Sequence, residues 1–144
     1  MKDYQLTDLQ ALLIRHEGMR LKPYTDSVGK LTIGVGRNLD DKAISEEEAI
    51  MLLNRDIADA IHDVRRVCSV YDQLSPSRQM VLVSMAFNMG YTRLNGFVHF
   101  LNALHQADYD QAADEMLNSK WAGQVGMRAN ELADMMRSST STRI

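Results

Sequence analysis

The sequence predicts an α+β fold, predominantly helical, in which a small N-terminal lobe with a β-hairpin leads through a long connecting helix to a helical C-terminal lobe. Glycine and β-branched residues crowd into one stretch, Leu21–Gly36, which is where a sheet belongs. Beyond residue 45 apolar residues recur every three or four positions, the period of a helix face. A length of 144 residues, without repeat, low-complexity tract or flexible linker, suits a single domain. Its N-terminal lobe is expected over about residues 7–60 and its helical lobe over about 70–137.

Each element has its own signal. Thr7 and Gln10 have capping-box spacing, so the first helix is expected to start there, and Leu9, Leu12, Leu13 and His16 follow at helical intervals. Gly18 is a natural stop, which makes Glu17 the last or nearly the last residue of that helix. Tyr24-Thr25 and Leu31-Thr32-Ile33 read as short strands joined by a turn over Asp26–Lys30, with room for a third short strand afterwards. Positions 26 and 32 lie symmetrically about Gly29, so a hairpin folded at that glycine brings Asp26 and Thr32 together. Ser45 with Glu48 is a second capping box. Ile50, Leu53, Ile57, Ile61 and Val64 then predict a helix of about twenty residues, near 30 Å long, enough to join two lobes. Ser75-Pro76 opens the next helix, because proline suits the first helical position. Its stretch Met80–Met89 is apolar on nearly every side, as in a helix at the middle of a core, and Gly90 ends it. Further helices are expected over Phe97–Ala107, Tyr109–Leu117 and Met127–Arg137, with a frayed tail over Ser138–Ile144.

Composition narrows the function. Hydrophobic residues at 45% and charged residues at 24% are globular proportions and exclude a disordered chain. A net charge of -3 gives no electrostatic case for nucleic acid. The single cysteine, Cys68, excludes an internal disulfide and a cysteine zinc cluster, and reads as a small buried side chain. His16, His62, His99 and His105 lack metal-ligand spacing, so neither a metal nor a cofactor is expected. No apolar run reaches the roughly 20 residues that span a bilayer, so no membrane insertion is expected. The polar start Met1-Lys2-Asp3-Tyr4-Gln5 has no signal-peptide core, and a soluble protein of a reducing compartment is the expectation.

Groups that could do chemistry concentrate in residues 15–37. Arg15, Arg20, Lys22, Lys30 and Arg37 face only Glu17 and Asp26, a local balance of +3 in a negative chain. Scattered cations of this kind commonly form a solvated surface; the functional alternative is a cleft that attracts an anionic substrate. Glu17 sits where the negative end of the helix dipole disfavours its ionisation, as a general acid needs, although a lone glutamate at a helix end is more often mere surface. Asp26 alone is a turn-former and Thr32 alone a strand-former. Together they could protonate a leaving oxygen from Glu17 while Asp26 and Thr32 hold a water on the other face.

The run Glu17-Gly18-x-Arg20-Leu21-Lys22-x-Tyr24-x-Asp26, then Gly29, then Leu31-Thr32-Ile33-Gly34-Val35-Gly36, closely resembles the phage-type lysozymes of glycoside hydrolase family 24, the T4-lysozyme-like endolysins. Phe87-Asn88-Met89-Gly90 and Trp121 with Gln124 and Arg128-Ala129 extend the resemblance to nearly the whole chain. It implies a lysozyme-like fold and hydrolysis of the β-1,4 bond between N-acetylmuramic acid and N-acetylglucosamine, probing a peptidoglycan glycan strand. By resemblance Glu17 is the general acid, Asp26 the group that orients or activates water, and Thr32 its partner. Tyr24 and Arg128 match positions that hydrogen-bond or ion-pair with the glutamate; Arg128 would favour the ionised acid and oppose the dipole, and the sequence leaves that balance open. Phe87 and Asn88 match positions along the saccharide cleft, and Gln124 and Arg37 join them as substrate-binding or supporting residues. Arg37 is a departure, because some relatives carry histidine there. The resemblance also implies a monomer that accumulates in the host cytoplasm and reaches the wall through a separate membrane-permeabilising holin.

Other signals carry less. Gly34-Val35-Gly36 lacks the third glycine of a nucleotide loop, position 39 being Leu. Trp121 could stack on a sugar, but a lone tryptophan in a helical lobe is more often core, and the ten methionines read as core filler. Competing readings are a lytic transglycosylase, which would leave 1,6-anhydro ends, and a non-catalytic peptidoglycan-binding or virion module.

Overall fold

A computed structural model describes residues 3–138 of the chain. The elements are α1 (Asp3–Glu17), β1 (Arg20–Thr25), β2 (Leu31–Gly34), β3 (Arg37–Asn38), α2 (Glu46–Val67), a 3-10 turn (Tyr71–Gln73), α3 (Pro76–Asn95), α4 (Val98–His105), α5 (Tyr109–Leu117), α6 (Lys120–Val125) and α7 (Met127–Ser138). The predominantly helical α+β class expected from the sequence is the class observed. The chain divides into two compact units, Met1–Met51 and Leu52–Ile144, and the division falls inside α2. Among the described residues no helix is long and apolar enough to cross a membrane.

In the first unit, α1 begins a turn earlier than its Thr7-Gln10 pattern predicts, at Asp3. Asp3-Tyr4-Gln5-Leu6 holds neither glycine nor proline, so nothing obliges the helix to wait for Thr7. The other end is as expected. Gly18 takes φ +79° and donates its N–H to the Ile14 carbonyl at 2.8 Å, which stops α1 at Glu17. The sheet is antiparallel in the order β1-β2-β3.

The hairpin register differs by one position from the expectation. Tyr24 pairs with Thr32 and Thr25 with Leu31, so the axis of the hairpin passes through Val28 rather than Gly29. The loop explains the shift. Asp26 N–H donates to the Lys30 carbonyl at 2.8 Å and Gly29 N–H to the Asp26 carbonyl at 3.0 Å, leaving Ser27, Val28 and Gly29 as a three-residue loop. Such loops need a left-handed residue in third place, and Gly29 supplies it at φ +85°. The glycine ends the loop instead of forming its apex.

α2 starts with the expected capping box: Ser45 N–H donates to Glu48 Oε1 at 3.0 Å, and Glu48 N–H to Ser45 Oγ at 3.1 Å. In the second unit α3 is capped as predicted, with Pro76 in its first turn and Ser75 Oγ accepting from Arg78 N–H. Gly90 does break the helix (φ 82°, ψ 172°), but a further turn continues to Asn95. One face of α3 supplies Val81, Leu82, Met85, Ala86 and Met89 to the core, around which Phe100, Met116, Trp121 and Met136 close from α4 to α7. Burial is not all-round, however: Met80 and Phe87 on the same helix remain 44% and 49% exposed. Cys68 is buried, as expected. The short α6 lay outside the sequence reading; Ser119 starts it by accepting from Ala122 N–H at 3.2 Å. Of the expected frayed tail only Ser138 is among the described residues, and it closes α7; the rest lies outside them.

Arg78 ties the start of α3 to the end of α7. Its Nε donates to the Met136 carbonyl at 2.7 Å and its Nη2 to the Arg137 carbonyl at 2.9 Å, so a cation caps the C-terminus of α7. The guanidinium also stacks 3.5 Å from the Tyr109 ring centroid. Charged hydrogen bonds of this kind contribute about 1.5–3 kcal/mol. Arg78→Met is therefore expected to lower unfolding free energy by about 2 kcal/mol in urea titrations, with an unchanged circular dichroism spectrum at 25 °C.

Candidate active site

Glu17 occupies its place through two glycines. Gly18 ends the helix directly behind it, and Gly36 receives its side chain: a Cβ built on Gly36 would lie 3.2 Å from Glu17 Oε2, 3.5 Å from its Cβ and 3.6 Å from its Cδ. Gly36 belongs to the Gly34-Val35-Gly36 corner between β2 and β3, where Gly34 and Gly36 adopt φ +69° and +66°. The corner can approach the glutamate because it has no side chain to interpose.

Asp26 and Thr32 share the hairpin. Asp26 Oδ1 accepts from Val28 N–H at 3.0 Å and from Lys30 N–H at 2.9 Å, so that oxygen holds the loop. Oδ2 makes no hydrogen bond among the described residues. Thr32, 3% exposed, donates its hydroxyl to the Lys30 carbonyl at 2.9 Å, the same carbonyl that accepts from Asp26 N–H. The two side chains are thus joined through Lys30, not set directly opposite one another. Strand alternation puts Tyr24, Asp26 and Thr32 on one face of the hairpin.

The supporting residues are distributed as follows. Tyr24 lies under the Arg20 guanidinium, 4.6 Å from the ring centroid, and no hydrogen bond joins it to Glu17. Arg37 makes a bidentate pair with Glu48, Nη1 to Oε1 at 3.3 Å and Nη2 to Oε2 at 2.9 Å, and Nη1 also donates to the Ala43 carbonyl at 3.1 Å. Lys30 pairs with Asp41 at 3.2 Å. The local excess of cations is therefore smaller than residues 15–37 alone suggest, because the segment after them supplies Asp41 and Glu48. Sequence reading found Glu48 as a cap and missed its partner, which stands eleven positions earlier across a turn.

In the second unit, Phe87, Asn88 and Arg128 line one cavity of about 840 Å³ with mainly apolar walls from α2, α3, α6 and α7. Asn88 is oriented by Trp121, whose buried Nε1 donates to its Oδ1 at 3.0 Å. Gln124 accepts from Arg93 Nη2 at 2.7 Å. Trp121 is 2% exposed and is core, as the sequence suggested. No three His, Cys, Asp or Glu side chains gather as a metal site among the described residues.

Residues 14–137 match the family model described as phage lysozyme. The chain belongs to the phage lysozyme family. Its relatives include the endolysin of Salmonella phage P22, 35% identical over 77% of this chain and 80% of that protein. Probable T4-type lysozyme 2 of Dictyostelium discoideum is 26% identical over 94% of this chain and 96% of its own length. The pre-baseplate central spike protein Gp5 of Enterobacteria phage T4 is 31% identical over 84% of this chain, which spans only 26% of that longer protein.

In this phage lysozyme chain the Glu48 carboxyl is sensitive to acid. The Ser45 backbone hydrogen bond, opposed by partial desolvation and helped by the Arg37 pair, holds the Glu48 carboxyl below its ordinary value near 4.5. A carboxyl lowered on folding adds stability that is present above 4.5 and is lost as pH falls through the lowered value. Wild type is expected to be more stable than Glu48→Gln in urea at neutral pH, with the difference closing as the pH falls below 4.5.

Proposed function

We infer that this phage lysozyme is a muramidase of the endolysin type, a glycoside hydrolase that cuts the β-1,4 bond between N-acetylmuramic acid and N-acetylglucosamine in peptidoglycan and lyses the host. Family membership over residues 14–137 carries the reading, and the Glu17, Asp26 and Thr32 spacing in the sequence supports it.

In the proposed mechanism Glu17 donates a proton to the glycosidic oxygen and Asp26 activates water on the opposite face of the sugar, so that the anomeric centre inverts. The hydrogen-bond pattern supports this division. Asp26 keeps Oδ2 uncommitted for a water proton while Oδ1 secures the loop. Thr32 spends its one proton on the Lys30 carbonyl, so toward a water it can only accept. A water that gives one hydrogen to Thr32 and the other to Asp26 presents its lone pair to the sugar. Tyr24 and Arg37 support this unit; Phe87, Asn88, Gln124 and Arg128 bind the glycan or support the residues that do. The protein acts as a monomer, accumulates in the host cytoplasm and depends on a holin to reach the wall.

Glu17→Gln is expected to lose about 10²–10⁴-fold in the turbidity assay on outer-membrane-stripped cells, with its fold intact. Full residual activity would remove Glu17 from the mechanism. Mass spectrometry of digested peptidoglycan is expected to find reducing muramic acid; 1,6-anhydro ends would instead identify a transglycosylase, and binding without product a non-catalytic module. Proton NMR at early times is expected to show the α-anomer first, as inversion requires. Expressed in the host without a holin, the protein is expected to leave the culture intact, and timely lysis would contradict the cytoplasmic route.

A further inference from the structure

Gly36 and Arg37 are consecutive residues with different partners. The backbone of Gly36 forms a wall along the Glu17 side chain, close enough that even one added methyl would sit 3.2 Å from Oε2. Arg37 directs its guanidinium to the start of α2, where it meets both oxygens of Glu48 and the Ala43 carbonyl. Glu48 is itself immobilised, because Oε1 also accepts from Ser45 N–H and its own N–H is capped by Ser45 Oγ. The other ties from this corner to a neighbouring element run back to the hairpin. β3 is two residues long and pairs with β2 at Thr32–Asn38 and Ile33–Arg37. Just after it, Leu39 N–H donates to the Leu31 carbonyl at 2.7 Å, Leu31 N–H to Asp40 Oδ2 at 2.7 Å, and Lys30 pairs with Asp41 at 3.2 Å. These contacts hold β3 to β2, whereas the bidentate guanidinium–carboxylate pair ties it to α2 and fixes both position and angle.

We propose that the Arg37–Glu48 ion pair is a positioning device for the general acid: it anchors β3 to the start of α2, keeps Gly36 against Glu17 and so holds the carboxyl in its reactive orientation. The inference rests on the reading of Glu17 as that acid. Neither Arg37 nor Glu48 touches a reacting atom in this scheme; both act through the backbone of residue 36. The demand on such a device is tight, since displacement of a catalytic group by about 1 Å can cost about 10²-fold in rate.

The test is steady-state kinetics on soluble, uncross-linked peptidoglycan glycan strands for wild type, Arg37→Gln, Glu48→Gln, the double variant and Arg37→Lys. Glu48→Gln retains an amide oxygen for Ser45 N–H, so the helix start survives even if Arg37→Gln folds poorly. Each single variant is expected to lower kcat roughly 5- to 50-fold with KM within about two-fold. The double variant is expected to be no worse than the poorer single, as for two halves of one interaction, and Arg37→Lys to recover part of the loss. A second readout is independent of turnover: the carbon NMR signal of the Glu17 carboxyl is expected to move in both single variants. Unchanged kcat, a raised KM at unchanged kcat, or an unmoved Glu17 signal would each overturn the proposal, the second by making Arg37 a substrate contact. A fully active Glu17→Gln control would instead sink the general-acid reading, and the NMR arm would still decide whether the pair sets the side chain.

Discussion

Position 36 favours glycine for two separate reasons. Its φ of +66° is strained for any residue with a Cβ, and that Cβ would stand 3.2 Å from Glu17 Oε2, so the carboxyl would have to give way by a few tenths of an ångström. The closeness follows from chain geometry. α1 ends at Glu17, β1 starts at Arg20, and Arg20 pairs with Gly34, so the corner after β2 returns to the helix end with only a few residues of slack. A bare position 36 therefore leaves the glutamate undisturbed. Placement of the glutamate is a backbone property, set by one glycine that stops the helix and another that makes room beside it.

Asp26 is placed by a second backbone device, the three-residue loop that its own Oδ1 closes. The two carboxylates flank β1, one before its first residue and one after its last. Their separation is thus set across β1, which pairs with β2 at Arg20 and again at Tyr24 and Thr25, with a register shift between the two places. Thr32, opposite Tyr24 on β2, belongs to the same ladder. Side chains placed in this way keep their spacing as long as β1 and β2 stay paired, and what they most need from outside is a fixed third corner. The Arg37–Glu48 contact lies where that need arises.

Local signals predicted local features correctly. Gly18 ends α1, Ser45 with Glu48 starts α2, and Ser75-Pro76 starts α3, because each depends on residues within one turn of itself. Features that depend on competition were harder to read. Thr7-Gln10 has the spacing of a cap, yet a helix-compatible segment precedes it and α1 simply continues. Gly29 marks a turn without saying which loop position it fills, and that ambiguity shifted the hairpin axis by one residue. The six residues of α6 are too few for periodicity to declare. Glu17, Asp26 and Thr32 stood out through their motif, whereas the Arg37–Glu48 and Lys30–Asp41 pairs each span eleven positions and follow no periodic rule.

Those pairs also change the electrostatic argument for substrate binding. The cations of residues 15–37 suggested a field that would draw in an anionic wall, but Lys30 and Arg37 are spent on Asp41 and Glu48, and Arg20 lies over Tyr24. Paired at close range, Lys30 and Arg37 add little field beyond the Debye length of about 8 Å, whereas Arg15, Arg20 and Lys22 make no ion pair among the described residues. Any long-range steering therefore rests on three of the five cations. Under the proposed function, short-range contacts carry correspondingly more of the glycan affinity, where apolar surface such as Phe87 and oriented amides such as Asn88 can act. Asn88 meets that requirement because Trp121 fixes its carbonyl, which leaves the amide nitrogen with a defined direction and both its hydrogens to donate.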